Sequence, residues 1–161
     1  MQNTGKFAVA GMLVLNLIST INNCGRWLPT MQNTGKFAVA GINLVYNLSL
    51  TDLAEQQKLQ WYSNDQDVKM CVMKGKDEEN CQNYIRIMAK SAQGRLLVCG
   101  TNSFKPVCRE YNILTGNYSM EKEKPGQALC PYDPHHNSTA IYVGTFNERI
   151  KLYLPRRPIE F

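Results

Sequence analysis

The chain has 161 residues, enough for one ordinary domain with a hydrophobic core, and its 43% hydrophobic content argues against general disorder. The net charge of +5 is modest, and the basic side chains are dispersed apart from one loose cluster at 149–157. Nucleic-acid binding usually requires a denser basic stripe with interleaved aromatic residues. Composition therefore argues against nucleic acid as a partner.

The first 36 residues contain a duplication. Residues 1–11 (MQNTGKFAVAG) recur identically at 31–41. Structural repeats keep a pattern and vary its residues, so we interpret the copy as a recent duplication or a gene-model error. Residues 7–21 are an apolar run and a candidate signal sequence, although no clear small-residue cleavage motif follows. No other segment is a candidate transmembrane helix.

From residue 37 onward, alternating apolar and polar residues predict β-strands. The predicted strands are 37–41, 44–50, 84–89, 95–100, 107–114, 140–143 and 150–154. The connections among the third, fourth and fifth strands are short enough for hairpins, which predicts an antiparallel meander. Residues 51–82 are polar, and we expect irregular structure there, while residues 115–129 form a second polar stretch.

Three similar turns form a faint internal repeat. Residues 39–43, 98–102 and 143–147 each end an apolar segment in a glycine turn that contains asparagine. Strand-turn-strand units at such intervals are typical of propeller blades. Ordinary hairpin chemistry is the alternative, because glycine and asparagine favour these turns in any case.

The six cysteines indicate an oxidising compartment. They are Cys24, Cys71, Cys81, Cys99, Cys108 and Cys130. Cysteines 71 and 81, and likewise 99 and 108, enclose short loops as local disulfides do, and neither pair has the spacing of a zinc site. Three glycosylation sequons, at Asn47, Asn117 and Asn137, agree with secretion. The other two cysteines could pair together, stay free or bridge to a second chain.

Catalytic patterns are weak. His135 and His136 are the only histidines and follow Pro134 in a turn, which favours a solvated loop over half a metal site. The acidic residues 77–79 lie among lysines and indicate a solvated surface. No nucleophile-elbow, P-loop or dinucleotide motif occurs. We therefore predict no enzyme activity, no cofactor, no bound metal and no small-molecule substrate.

Three ordered motifs resemble the sema domain of the semaphorin family. They are residues 67–86 (DVKMCVMKGKDEENCQNYIR), residues 96–109 (LLVCGTNSFKPVCR) and Cys-Pro-Tyr-Asp-Pro at 130–134 followed by 137–142 (NSTAIY). The resemblance runs from about residue 41 to residue 142. It is strongest to membrane-bound semaphorins of invertebrates.

The resemblance implies an all-β fold, namely the first blade and part of the following blades of a seven-bladed propeller. It also implies the disulfides Cys71–Cys81 and Cys99–Cys108. On this basis residues 1–36 form a duplicated or signal segment, 37–143 a partial sema domain, and 144–161 a divergent basic tail.

In function, the resemblance implies an extracellular or cell-surface ligand for plexin-type receptors in axon guidance and cell migration. The complete family member would form a homodimer. Family receptor contacts lie mainly on later blades, so no partner-binding residue is assigned. The shared propeller leaves a plexin-like receptor segment as one alternative, although the motif at 99–108 favours the ligand side. A truncated isoform without signalling function of its own is the other alternative.

Overall fold

The computed structural model describes residues 30–32, 36–90, 94–136, 139–143 and 149–153. Within them, an α-helix, α1, spans Asp65–Met73, and a short 3-10 helix spans Glu79–Cys81. Ten strands make up the rest of the regular structure. They are β1 (Thr30–Gln32), β2 (Lys36–Ala40), β3 (Leu44–Ser49), β4 (Glu55–Gln60), β5 (Ile85–Lys90), β6 (Arg95–Gly100), β7 (Val107–Asn112), β8 (Ser119–Pro125), β9 (Thr139–Val143) and β10 (Arg149–Tyr153).

The strands form three antiparallel sheets in which chain neighbours pair. The first sheet has the order β1-β2-β3-β4, the second has the order β5-β6-β7-β8, and β9 pairs with β10. The first strands of successive sheets lie side by side, because β5 contacts both β1 and β9. Up-and-down sheets whose first strands gather around one axis have the topology of consecutive propeller blades.

The core lies on both faces of β6, which is buried along almost its whole length. Leu96 and Val98 pack toward the first sheet, in a cluster that includes Val45 and Trp61. The alternate residues, Leu97 and Cys99, lie in a second cluster. Successive side chains of a strand point to opposite faces, so this apolar run is explained by burial on two sides.

Side-chain amides of the first sheet bind the β7–β8 turn of the second. Asn47 donates from Nδ2 to the Gly116 carbonyl oxygen at 3.0 Å. Gln57 donates from Nε2 to the Tyr118 carbonyl oxygen at 3.1 Å, and its Oε1 accepts from the Tyr118 amide at 2.6 Å. Gln57 thereby pairs with both backbone groups of one residue, as a neighbouring strand would.

The predicted meander corresponds to β5, β6 and β7, with bounds within two residues of those expected. The expectation of irregular structure at 51–82 is wrong, because β4 and α1 lie there, and the polar stretch 115–129 contains β8. Both strands are mostly exposed outer strands, so they show little apolar alternation and are held by ladder hydrogen bonds.

Two of the three similar turns occupy the same position in their sheets. Residues 39–43 and 98–102 both lead from the second to the third strand of a sheet. The third member follows β9, the strand that adjoins β5, so it does not occupy the same turn. Strands β1 and β10 also lie beyond the expected domain limits of 37 and 143.

Candidate interaction face

One end of the sheets carries the long connections between them. In an up-and-down sheet successive connections alternate between the two ends, so the β2–β3 and β6–β7 turns share an end with the segments that leave β4 and β8. Contacts agree with this placement: Ile42 bridges to Tyr84, and the Gly126 amide donates to the Pro106 carbonyl oxygen at 2.7 Å. We call residues 41–43, 61–84, 101–106 and 126–136 the connector face.

Helix α1 is the most prominent element of the connector face. Its N-cap is Asn64, whose Oδ1 accepts from the Asp67 amide at 2.7 Å, and Asp65 adds a favourable charge in the first turn. Within the helix, Cys71 is the one buried residue, and it bonds to Cys81. A bridge that closes a loop of this length contributes about 2.5–3 kcal/mol in the loop-entropy description. The disulfide, rather than an apolar face, therefore holds α1 on the fold.

Anchoring by a disulfide leaves the apolar side chains of α1 in solvent. Met73 is 75% exposed, and Met70 and Val72 are exposed as well. Tyr62, which precedes the helix, is 58% exposed, and Tyr132 is exposed in the segment that leaves β8. Exposed apolar side chains gathered on one face are characteristic of interaction surfaces. Flexible methionine side chains adapt well to a partner.

The loop after α1 belongs to the connector face. Lys74, Gly75 and Lys76 are all exposed. Gly75 has a φ of +83° and no neighbour within 4 Å of a Cβ atom built there, so its backbone conformation rather than space requires glycine. Lys76 Nζ lies 4.6 Å from the centre of the Phe104 ring. This cation–π contact ties the loop to the β6–β7 turn.

A small cavity of about 240 Å³ lies beside the start of α1. Two ion pairs line it, Lys105–Asp67 at 3.0 Å and Arg109–Glu123 at 2.7 Å. Arg109 also stacks over the Trp61 ring, 4.3 Å from its centre. The lining charges neutralise one another, so the cavity offers no unpaired charge to a ligand.

Asn83 joins the first two sheets from a fully buried position. Its backbone N–H donates to Asn43 Oδ1 at 3.0 Å. In its side chain, Oδ1 accepts from the Asn102 backbone N–H at 3.0 Å, and Nδ2 donates to the Trp61 carbonyl oxygen at 2.9 Å. Asn43 and Asn102 have positive φ values of 59° and 41°. A Cβ at Gly100 would lie 2.0 Å from Asn83 Oδ1, which excludes any larger residue there.

The second disulfide crosses the central pair of strands of the second sheet. Cys99 and Cys108 face each other in the β6–β7 register and are bonded, as the resemblance implied. Cys130 packs in the same cluster and is a free, buried thiol. Burial raises the pKa of the Cys130 thiol to about 12, while the positive charge of Arg86 acts in the opposite direction. Cys24 lies outside the described residues.

The three sequons differ in their placement. Asn47 is 0% exposed and its Nδ2 is hydrogen-bonded to Gly116, so this structure has no room for a glycan there. The expectation of glycosylation at Asn47 therefore conflicts with the fold. Asn117 is exposed in the β7–β8 turn. Asn137 lies outside the described residues.

The residues weighed for catalysis are on the surface. His135 and His136 are exposed, and His135 Nε2 lies 2.8 Å from Asn80 Oδ1. Residues 77–79 are exposed too. Across the described ranges, no three or more His, Cys, Asp and Glu side chains gather in a way that could hold a metal ion. Within the same ranges, no helix has the length and apolarity needed to cross a bilayer.

Comparison with curated proteins finds semaphorins. The chain is 62% identical over 99 residues to Semaphorin-1A of Drosophila melanogaster and 53% identical over 102 residues to Semaphorin-1A of Schistocerca americana. Each match covers 62% of this chain, which spans only 11% and 14% of the two relatives. Mouse Semaphorin-5B is 44% identical over 100 residues, 62% of this chain and 9% of that protein. No family model matches the chain.

Solved structures give the same result. Extracellular domains 1–2 of Drosophila Semaphorin 1a match with a TM-score of 0.63 and 50% identity, over 74% of this chain and 23% of that one. Drosophila Semaphorin 1b matches with a TM-score of 0.65 and 36% identity, over 78% and 24%. A structure of Drosophila Plexin A in complex with Semaphorin 1b matches with a TM-score of 0.61 and 40% identity, over 71% and 22%.

Fold, disulfides and structural neighbours define the class as a partial sema-type β-propeller, which confirms the expected all-β fold. Within that class the comparisons support a fragment of a semaphorin-family protein, similar to insect Semaphorin-1A. The resemblance of the three motifs is thereby confirmed. The sequence did not predict the exposed face of α1 or the position of Asn83. The repeated glycine-asparagine turns did indicate special backbone conformations at Asn43 and Asn102.

Proposed function

We propose that this chain acts outside the cell as part of a semaphorin-type ligand that recognises a plexin-type receptor in axon guidance and cell migration. Its relatives and structural neighbours are semaphorins, and one neighbour was solved as a complex with Drosophila Plexin A. The two disulfides suit the oxidising extracellular environment. A homodimer stays a prediction for the complete family member. The role is recognition rather than catalysis.

The observation that carries a contact role for this segment is the exposed apolar side of α1. Met70, Val72 and Met73 are held in solvent by a helix that a disulfide fixes in place. A fixed scaffold lowers the entropy lost when a partner orders these side chains. The connector face would supplement receptor contacts made by later blades.

Binding to a plexin-type ectodomain tests the proposal. We expect Met73→Lys to weaken binding about tenfold, because a charge replaces an apolar contact. Met120→Lys is the matched control, since Met120 is also exposed but lies on β8, away from the connector face. Surface plasmon resonance with the secreted chain would measure both. Equal losses in the two variants would reject the connector face as the contact.

A segment without signalling activity of its own is the second candidate. This alternative would be established if a preparation of the chain with both disulfides formed did not bind a plexin-type ectodomain.

A further inference from the structure

We propose that Asn117 carries an N-linked glycan and that Asn47 stays unmodified in the folded, exported chain. The proposal rests on the extracellular route of the proposed function. Both residues begin an Asn-x-Ser sequon, so the sequence does not separate them. The fold does.

Asn117 has the surroundings that a glycan requires. It is exposed in the turn between β7 and β8, and Ser119, the third sequon residue, is exposed as the first residue of β8. The middle residue, Tyr118, is buried and held by Gln57 through both of its backbone groups. The buried Tyr118 anchors the turn while Asn117 remains in solvent.

Asn47 has the opposite surroundings. Its side chain is fully buried, and Nδ2, the atom that would bear the sugar, donates to the Gly116 carbonyl oxygen. A glycan on this nitrogen would place a bulky hydrophilic group between the first and second sheets and would replace one of its two N–H groups. Chains modified at Asn47 would therefore fail to assemble these sheets and would not be exported.

The position of Asn117 also agrees with recognition through the connector face. The β7–β8 turn lies at the opposite end of the sheets, because it connects the third and fourth strands. A glycan there would leave α1 accessible to a protein partner.

The chemistry is transfer from a lipid-linked pyrophosphate oligosaccharide, the donor of the secretory pathway. The Asn117 Nδ2 forms a bond to the first sugar carbon, and the bond from that carbon to the pyrophosphate oxygen breaks. The amide loses one proton, and the lipid pyrophosphate leaves with the bonding electron pair. No oxidant or reductant takes part.

The test is peptide mapping of chain secreted by eukaryotic cells, in an Asn137→Gln background that removes the third sequon. Peptide N-glycosidase converts a glycosylated asparagine to aspartate, so mass spectrometry reports each site separately. We expect conversion at position 117 and none at position 47. An unconverted Asn117, or conversion at Asn47, overturns the proposal.

Matched variants separate modification from folding. Asn117→Gln should remove one glycan-sized step in gel mobility with export retained. Ser49→Ala, which removes the Asn47 sequon and keeps Asn47 itself, should change neither mobility nor export. Export with both disulfides but no glycan overturns only this inference. A chain that is not exported, or is exported with reduced cysteines, overturns the extracellular role and this inference together.

Discussion

Asn83 and Cys130 are two buried residues whose chemistry affects the packing of the second sheet. Asn83 is polar and fully buried, and all four of its polar atoms have partners in other segments. Cys130 is buried in an apolar cluster beside the Cys99–Cys108 disulfide, and its thiol is kept neutral. A buried polar group that keeps its partners specifies one arrangement, whereas a buried thiol adds packing as long as it carries no charge.

The raised pKa of Cys130 predicts a pH-dependent stability. The folded chain favours the neutral thiol, so this contribution is complete below the ordinary pKa of 9.0 and is lost as the pH rises toward about 12. Between about pH 8 and pH 10 the thiol should cost the fold about 1.4 kcal/mol. Thermal melting at both pH values would measure the loss, and Cys130→Ala should reduce it. An equal loss in both proteins would contradict the burial of the thiol.

At the level of elements, the first and second sheets are joined by side-chain amides at one end and by the Asn83 network at the other. Gln57 on β4 is the sharpest case, since it acts as both donor and acceptor toward Tyr118. Its neighbour Gln56 is exposed on the same strand. The pair offers a matched comparison of two glutamines in one element.

We expect Gln57→Ala to destabilise the chain by about 2 kcal/mol, because both backbone groups of Tyr118 lose their partner. Gln56→Ala should change stability by less than about 0.5 kcal/mol, as is usual for exposed sites. Urea titration monitored by limited proteolysis would compare them. Similar effects of the two substitutions would show that the amide contact does not join the sheets.

The β6–β7 hairpin depends on its disulfide, and single and double cysteine variants separate the effect of a free thiol from the loss of the bridge. Cys99→Ser or Cys108→Ser should block secretion, because each frees a reactive thiol and removes about 2.5–3 kcal/mol of loop constraint. The double variant lacks the free thiol, so its secretion should recover in part. Secretion at the normal level by either single variant would argue against a structural role for this bond.

Within the part of the chain that the structure describes, the three sheets do not close into a ring. Its third sheet has two described strands, and the strand edges of a propeller are normally protected by closure of the ring. Exposed edges and uncovered apolar faces promote association between chains.

We therefore expect a protein made of the described sheets alone to be poorly soluble or to depend on a partner. Size-exclusion chromatography of protein secreted from eukaryotic cells should show aggregates or broad oligomer peaks. A sharp monomer peak with a cooperative melt would refute this expectation. Addition of a plexin-type ectodomain would distinguish partner dependence from simple insolubility.

The sequence by itself indicated the resemblance to semaphorins, the central meander and the two cysteine pairs that this resemblance implies, because each depends on short local segments. Short apolar segments mark strands β5 to β7, with a continuous apolar run in β6, and short cysteine spacings mark local bridges. Tertiary structure alone decided the rest. Strands β4 and β8 carry little local signal because their outer positions expose them, and Asn47 differs from Asn117 only through burial by a turn 69 residues away. Burial depends on contacts between distant segments, so no local pattern reports it.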